Sequence, residues 1–148
     1  MSTFRNLEAA LAGESMAHIK YRYFARIARE EGFEDVAKHF EHTADQEIKH
    51  AWGHLELLIG KPTTKQCLQK AIDGETYEYT EMYPQFQEQA IQEQNDKVAL
   101  EFLEQRNESK EHAEHFKKIL DLAEKRFAAL AKVEQRHADA YKKVLEAL

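Results

Sequence analysis

The sequence has few residues that cross-link or interrupt a chain. Among its 148 residues it has one cysteine, Cys67, which excludes an intrachain disulfide, a cysteine-based zinc site and an iron site with four thiolates from these residues. There are 2 prolines and 5 glycines, so few turns are expected. No stretch approaches membrane-spanning length, and the first residues lack the apolar run of a signal peptide. We therefore expect a cytoplasmic protein that does not bind membranes.

An excess of positive charge is also missing. The chain has 21 lysines and arginines against 27 acidic residues, a net charge of −6, and no basic run, which argues against nucleic-acid binding. Charged residues make up 32% of the chain, which with so few turns favours long helices. The length is that of one domain and is sufficient to form a hydrophobic core. We predict a single all-α domain over residues 1–148.

Apolar residues recur at helical spacing along most of the chain. Gly32, the Gly60–Pro62 segment and Asn95 supply the stop and start signals between helices, and Pro84 should kink the third helix. The predicted helices cover residues 3–31, 34–59, 65–94, 96–122 and 126–147. No Gly or Pro follows the fourth range, so the last range either extends the fourth helix or forms a fifth after a tight turn.

The two halves of the sequence repeat. Residues 12–14 match residues 73–75 at an offset of 61, and His50 matches His112 at an offset of 62. The segment from Val36 to Phe40 likewise matches the segment from Val98 to Phe102 at an offset of 62. A shorter third echo places Phe127 ten residues before His137, the spacing that also separates Phe40 from His50. These matches indicate a duplicated helix pair and hence a pseudo-twofold bundle.

Acidic residues and histidines occur at the spacing of a metal site. Glu47 and His50 are one helical turn apart, so both can reach one ion. Bundles that hold two metal ions use this pair on two helices and a Glu on each of the others, which Glu14, Glu75 and Glu78 can supply. An isolated pair of this kind usually lies on a solvent-exposed helix face. Several carboxylates that point into the core of a bundle, however, need a cation to offset their burial. Carboxylates with imidazoles favour iron or manganese.

The fourth helix departs from this pattern. The repeat places the partner of Glu47 at position 109, which is Ser109, although His112 is retained. The intact second Glu-x-x-His is formed by Glu134 and His137, in the third echo. Two alternatives therefore stay open for completing the site, Ser109 with His112 or Glu134 with His137.

Three motifs resemble those of the rubrerythrin family, in the ferritin-like superfamily. They are Gly13-Glu14-Ser15 with Tyr21 seven residues after Glu14, the run from Asp45 to His50, and the run from Gly74 to Pro84. The third is the most specific, because Glu78 and the Met-Tyr-Pro sequence distinguish rubrerythrins from ferritins. The resemblance covers about residues 3–122 and again 126–148.

The resemblance implies a ferritin-like four-helix bundle with an extended or additional C-terminal helix and two iron ions, for which manganese or zinc could substitute. The implied metal ligands are Glu14, Glu47, His50, Glu75 and Glu78, completed by His112 or by Glu134 and His137. The hydroxyls of Tyr21 and Tyr83 would lie near the metals.

The implied function is a non-haem di-iron peroxidase that reduces hydrogen peroxide to water in oxidative-stress defence. In that family an iron moves between a Glu and a His with redox state, here Glu78 and His50. Because these residues lack a four-thiolate iron site, we expect electrons from a separate donor, a rubredoxin-like protein or a flavoprotein reductase. One alternative is a ferroxidase or oxygen-reducing iron protein. The other is a structural bundle with a degenerate site, which the serine at position 109 in place of an acid would indicate.

The connection between the second and third helices is short for a bundle made from one chain. Glu47 lies about 18 Å from the end of its helix, and Glu75 about 15 Å from the start of its own. Residues 60–65 would then have to span roughly 33 Å, whereas six residues reach at most about 21 Å.

We therefore predict a domain-swapped homodimer or larger assembly, in which the first helix pair of one chain packs on the last pair of another. Sedimentation velocity should show no monomer at micromolar concentration. A monomer under those conditions would contradict the swap.

Overall fold

The computed structural model describes residues 2–147, which form five α-helices and one π-helical segment. The α-helices are α1 (Thr3–Glu30), α2 (Glu34–Ile59), α3 (Thr64–Tyr77), α4 (Tyr83–Gln92) and α5 (Asp96–Glu146), and the π segment is Glu78–Met82. Residues 2–147 contain no strand, so the all-α prediction is confirmed. None of the described helices is long and apolar enough to cross a membrane.

Side-chain caps fix where three of the helices begin. The Ser2 hydroxyl accepts a hydrogen bond from the Arg5 amide at 3.4 Å, and Asn95 accepts one from the Val98 amide, also at 3.4 Å. Thr63 and Gln66 form a reciprocal capping box at the start of α3, with the Thr63 amide donating to the Gln66 side chain at 2.8 Å. These bonds satisfy amides that have no partner within the helix.

The chain divides into two compact units, Met1–Pro62 and Thr63–Leu148. The first holds α1 and α2, and the second holds the remaining helices. Each unit has its own packing, and the single domain over residues 1–148 stays a prediction.

Small residues and one aromatic side chain hold α1 against α2. Ala25, Ala28 and Ala37 are buried together, and Phe40 packs on them. Close approach of two helices requires small side chains at the contact, and the aromatic ring supplies the apolar area. Arg29 binds Glu34 and Glu41 across the turn, each at 3.0 Å, and its hydrogen bond lowers the pKa of Glu34.

The second unit repeats the packing of the first. In each unit a tyrosine and two phenylalanines contact one another, with ring centroids 6.3, 6.0 and 5.6 Å apart in the first and 6.5, 6.1 and 5.6 Å apart in the second. The first trio is Tyr21, Phe24 and Phe40, and the second is Tyr83, Phe86 and Phe102. The turns also match, because Gly32 and Gln94 both have positive φ, at 86° and 57°. The two units therefore share one helix-pair design.

The π segment accounts for the change of offset between the halves. The offset is 61 at Glu75 and 62 at Tyr83, so one residue has been added between them. A π-helical turn is wider than an α-helical turn and can absorb one extra residue. The predicted helix over residues 65–94 is thus corrected. It is interrupted at Glu78–Met82, ends at Gln92, and contains Pro84 in the first turn of α4, where no amide donor is needed.

α5 is one continuous helix of 51 residues. The separate fifth helix over residues 126–147 is therefore wrong, and the alternative of an extended fourth helix is confirmed. Lys65 at the start of α3 pairs with Glu124 of α5 at 2.6 Å, which marks where α3 begins beside α5. From Glu124 to Glu146, α5 continues for about 33 Å.

Candidate metal centre

The first cluster consists of Glu14 from α1 and Glu47 and His50 from α2. One potential ligand atom from each of the three lies within 4.8 Å of the others. Nδ1 of His50 is 3.2 Å from Oε2 of Glu47, as expected for side chains one turn apart. The structure thus brings three predicted site residues together.

The two carboxyl groups of the first cluster perturb each other. The hydrogen bond to Glu47 raises the pKa of Glu14, and burial raises it further. The same hydrogen bond lowers the pKa of Glu47, with a further contribution from His50. The opposite directions mean that a proton binding to this pair favours Glu14 over Glu47. A divalent cation could take the place of that proton.

The fold draws α1 and α2 close together around Glu47. Ala44 and Ala51, one turn before and one turn after Glu47, are both buried. Beside them, Nδ1 of His18 lies 2.7 Å from the carbonyl oxygen of Ala44 and ties α1 to α2. His18 was not among the predicted site residues, although its position one turn after Glu14 was a usable signal.

The second cluster consists of Glu75, Glu78, Ser109 and His112, all within the second unit. The Ser109 hydroxyl donates a hydrogen bond to Oε2 of Glu78 at 2.9 Å. Nδ1 of His112 lies 3.4 Å from Oε1 of Glu75. Ser109, which is 5% exposed, therefore occupies the repeat position of Glu47 and holds a carboxylate contributed by the π segment.

The second cluster contains a buried oxygen that nothing satisfies. Oε2 of Glu75 has no hydrogen-bond partner among residues 2–147. Leaving a buried carboxylate oxygen without a donor is costly, and a bound cation removes that cost. Both clusters combine carboxylate oxygens with imidazole, which are ligands that suit iron, manganese or zinc. The residues present therefore fit a metal centre.

Tyr21 and Tyr83 occupy equivalent places in the two aromatic trios. Burial raises the pKa of Tyr83, and the negative charges of Glu78 and Glu75 raise it further. The hydroxyl of Tyr83 therefore remains protonated near the second cluster and is available as a proton donor.

Glu134 and His137 lie elsewhere on α5. Both are exposed, and Glu134 is about 33 Å beyond His112 along the helix axis. The structure therefore does not bring them to Glu75 and Glu78, where Ser109 and His112 are found instead.

The sequence matches the model of one protein family over most of its length. The family model described as rubrerythrin matches residues 5–120. The chain belongs to the rubrerythrin family. The resemblance drawn from the motifs is therefore confirmed, and the all-helical structure has the ferritin-like fold class of that family.

Curated rubrerythrin relatives are similar over most of the chain. Nigerythrin of Nitratidesulfovibrio vulgaris is 36% identical, over 78% of this chain and 64% of its own length. Rubrerythrin of Porphyromonas gingivalis is 37% identical, over 81% of this chain and 65% of its own length. The chain thus spans slightly less than two thirds of these relatives.

Solved structures of nigerythrin are also similar in sequence. The fully reduced, all-ferrous state is 34% identical, with a TM-score of 0.41 over 82% of this chain and 67% of that chain. The mixed-valence state is likewise 34% identical, with a TM-score of 0.40 over 82% and 66%.

Substituting Glu75 tests whether its unsatisfied oxygen needs a cation. We expect metal-free Glu75→Gln to be more stable than the parent by about 1 kcal/mol, because the substitution removes the charge from a carboxylate that has one buried oxygen without a donor. Anaerobic addition of Fe²⁺ should raise the melting temperature of the parent more than that of the variant. Both are measured by circular dichroism.

Glu81→Gln, on the exposed side of the same π segment, is the matched control and should leave both melting temperatures unchanged. A metal-free Glu75→Gln protein that melts below the parent would show that the carboxylate is satisfied without metal.

Proposed function

We propose that this chain is a di-iron protein that reduces hydrogen peroxide to water, and that each of the two clusters supplies iron ligands. The observation that carries the proposal is the buried Glu75 oxygen without a donor, in a chain of the rubrerythrin family. The opposite pKa shifts of Glu14 and Glu47 support it, since a cation would relieve the repulsion between the two carboxylates.

The proposed ligands are the carboxylates and imidazoles of the two clusters. They are Glu14, Glu47, His50, Glu75, Glu78 and His112. Of the two alternatives for the fourth helix, the proposal adopts Ser109 with His112, because both contact the acids of the second cluster. Ser109 acts by orienting Glu78 through its hydroxyl. Manganese or zinc could occupy the same oxygen and nitrogen ligands.

The reaction joins one hydrogen peroxide, two electrons and two protons to give two waters. Two ferrous ions bound here would supply the two electrons. The chain's own part is to hold and orient the ligands and to deliver protons. Tyr83 remains a neutral phenol beside Glu75 and Glu78, so it can donate a proton to the departing oxygen. The rings of Phe86 and Phe102 pack against Tyr83 and restrict its movement.

The electrons need an outside source. These 148 residues contain one cysteine, Cys67, so they hold no four-thiolate iron site that could relay charge. We propose that a rubredoxin-like protein or a flavoprotein reductase supplies the electrons, as the resemblance implies.

Iron binding distinguishes the two alternatives for the fourth helix. We expect Glu47→Gln and His112→Ala each to lower bound iron from about two ions per chain to about one or fewer, because each loses a proposed ligand. His137→Ala should bind as much iron as the parent, since His137 lies about 38 Å from His112 along α5. Metal analysis after anaerobic loading and desalting measures this.

Glu8→Gln, exposed on α1, is the control for loss of a surface carboxylate. Loss of iron from His137→Ala, with full binding by His112→Ala, would reverse the assignment. Failure of the parent to bind iron would favour the structural bundle with a degenerate site.

The identity of the oxidant is tested by stopped-flow absorbance on anaerobically reduced, iron-loaded protein. We expect oxidation by hydrogen peroxide to be faster than oxidation by oxygen at equal concentration. Tyr83→Phe should retain iron but slow the peroxide reaction by about tenfold or more, because its proton donor is lost.

Tyr77→Phe, exposed on α3, is the control and should react like the parent. Oxidation by oxygen at an equal or greater rate would contradict the peroxidase and support the ferroxidase alternative.

A further inference from the structure

The outer end of α5 exposes a row of large apolar side chains. Phe127, Leu130, Tyr141 and Val144 are 72%, 58%, 78% and 64% exposed. The side-chain hydrogen bond and the ion pair found within residues 125–146 are internal to the helix. Most of the stability of a helix in a protein comes from the packing of its apolar face, and an exposed apolar row of this kind marks a contact surface.

The spacing of the row is that of a two-stranded coiled coil. The positions alternate at intervals of four and three residues, and together they form one face, which we call the seam. The seam consists of Phe116, Leu120, Ala123, Phe127, Leu130, Glu134, His137, Tyr141 and Val144. Its two charged or titratable positions, Glu134 and His137, are consecutive and lie inside the exposed part.

We propose that the exposed part of the seam, from Phe127 to Val144, pairs with the same part of a second copy of this chain as an antiparallel coiled coil. The twofold axis would pass between Gln135 and Arg136, so that Glu134 faces the partner's His137 and His137 faces the partner's Glu134. This pairing requires no metal and does not depend on the proposed peroxidase function.

Polar complementarity selects this register, because a carboxylate and an imidazole can form a hydrogen bond. With the axis between Gln135 and Arg136, Leu130 faces the partner's Tyr141, and Phe127 faces the partner's Val144, so apolar residues meet apolar residues. A parallel arrangement would set Glu134 against the partner's Glu134, which is repulsive. Shifting the antiparallel pair by one heptad would set Glu134 against the partner's Leu130 and leave the carboxylate without a partner. One antiparallel register therefore pairs both polar residues.

Cysteine cross-linking tests the register in the full-length Cys67→Ser protein. The double variant Phe127→Cys with Val144→Cys should form a disulfide-linked dimer under mild oxidation, because each cysteine faces its counterpart across the axis. Phe127→Cys alone should stay uncross-linked, since the two copies of that residue would be about 26 Å apart along the axis. Denaturing electrophoresis without reductant measures this.

Efficient cross-linking of Phe127→Cys alone would indicate a parallel pair and overturn the proposal. Absence of a linked dimer in the double variant would also overturn it. That result is expected if the seam packs against its own chain or against another protein.

A charge exchange tests the polar pairs without altering the apolar positions. In sedimentation equilibrium, Glu134→His and His137→Glu should each weaken association through α5 by about tenfold or more, because like groups then face each other. The double exchange, Glu134→His with His137→Glu, should restore it, since each Glu again faces a His. Single variants that associate like the parent, or a double variant as weak as the singles, would contradict the pairing.

Discussion

The carboxylates that rigid helices hold close together are the central constraint on this protein. Glu14 and Glu47 shift each other's pKa in opposite directions, and an oxygen of Glu75 has no donor among the residues described. The helices place these side chains close together, and a bound cation would offset the electrostatic cost of that proximity. The helical framework and the acidic clusters therefore have to be understood together.

The duplicated framework makes its departures from symmetry informative. Both units keep the aromatic trio, the left-handed turn residue and the buried alanines, which are the parts that hold two helices together. They differ where the π segment introduces Glu78 and where Ser109 replaces an acid. Those two differences contact each other through one hydrogen bond. The second unit has therefore moved a carboxylate from one helix to its neighbour while retaining the packing.

Sequence reasoning was most successful where the signal was local. Gly32, Pro62 and Asn95 marked the helix ends well, and the spacing of Glu47 and His50 predicted their contact. The π segment was missed although the repeat offset changes from 61 to 62 between Glu75 and Tyr83, because an offset shows that a residue was added and not how the helix absorbs it. The sequence did not decide whether α5 is one helix or two. Its second half has no glycine or proline, which favours a continuous helix but does not exclude a tight turn. The choice between His112 and His137 depends on which part of α5 packs beside Glu75. That is a tertiary contact, which the sequence alone does not give.

The uninterrupted length of α5 places two functional surfaces far apart on one helix. His112 contacts the acidic cluster, whereas the seam residues beyond Glu124 lie along the same rod, with His137 about 38 Å from His112. Substitutions that far apart with no shared neighbours add independently in free energy. Substitutions in the outer turns of α5 should therefore leave the acidic cluster unchanged, so that an association surface and a metal site on one helix can be altered separately.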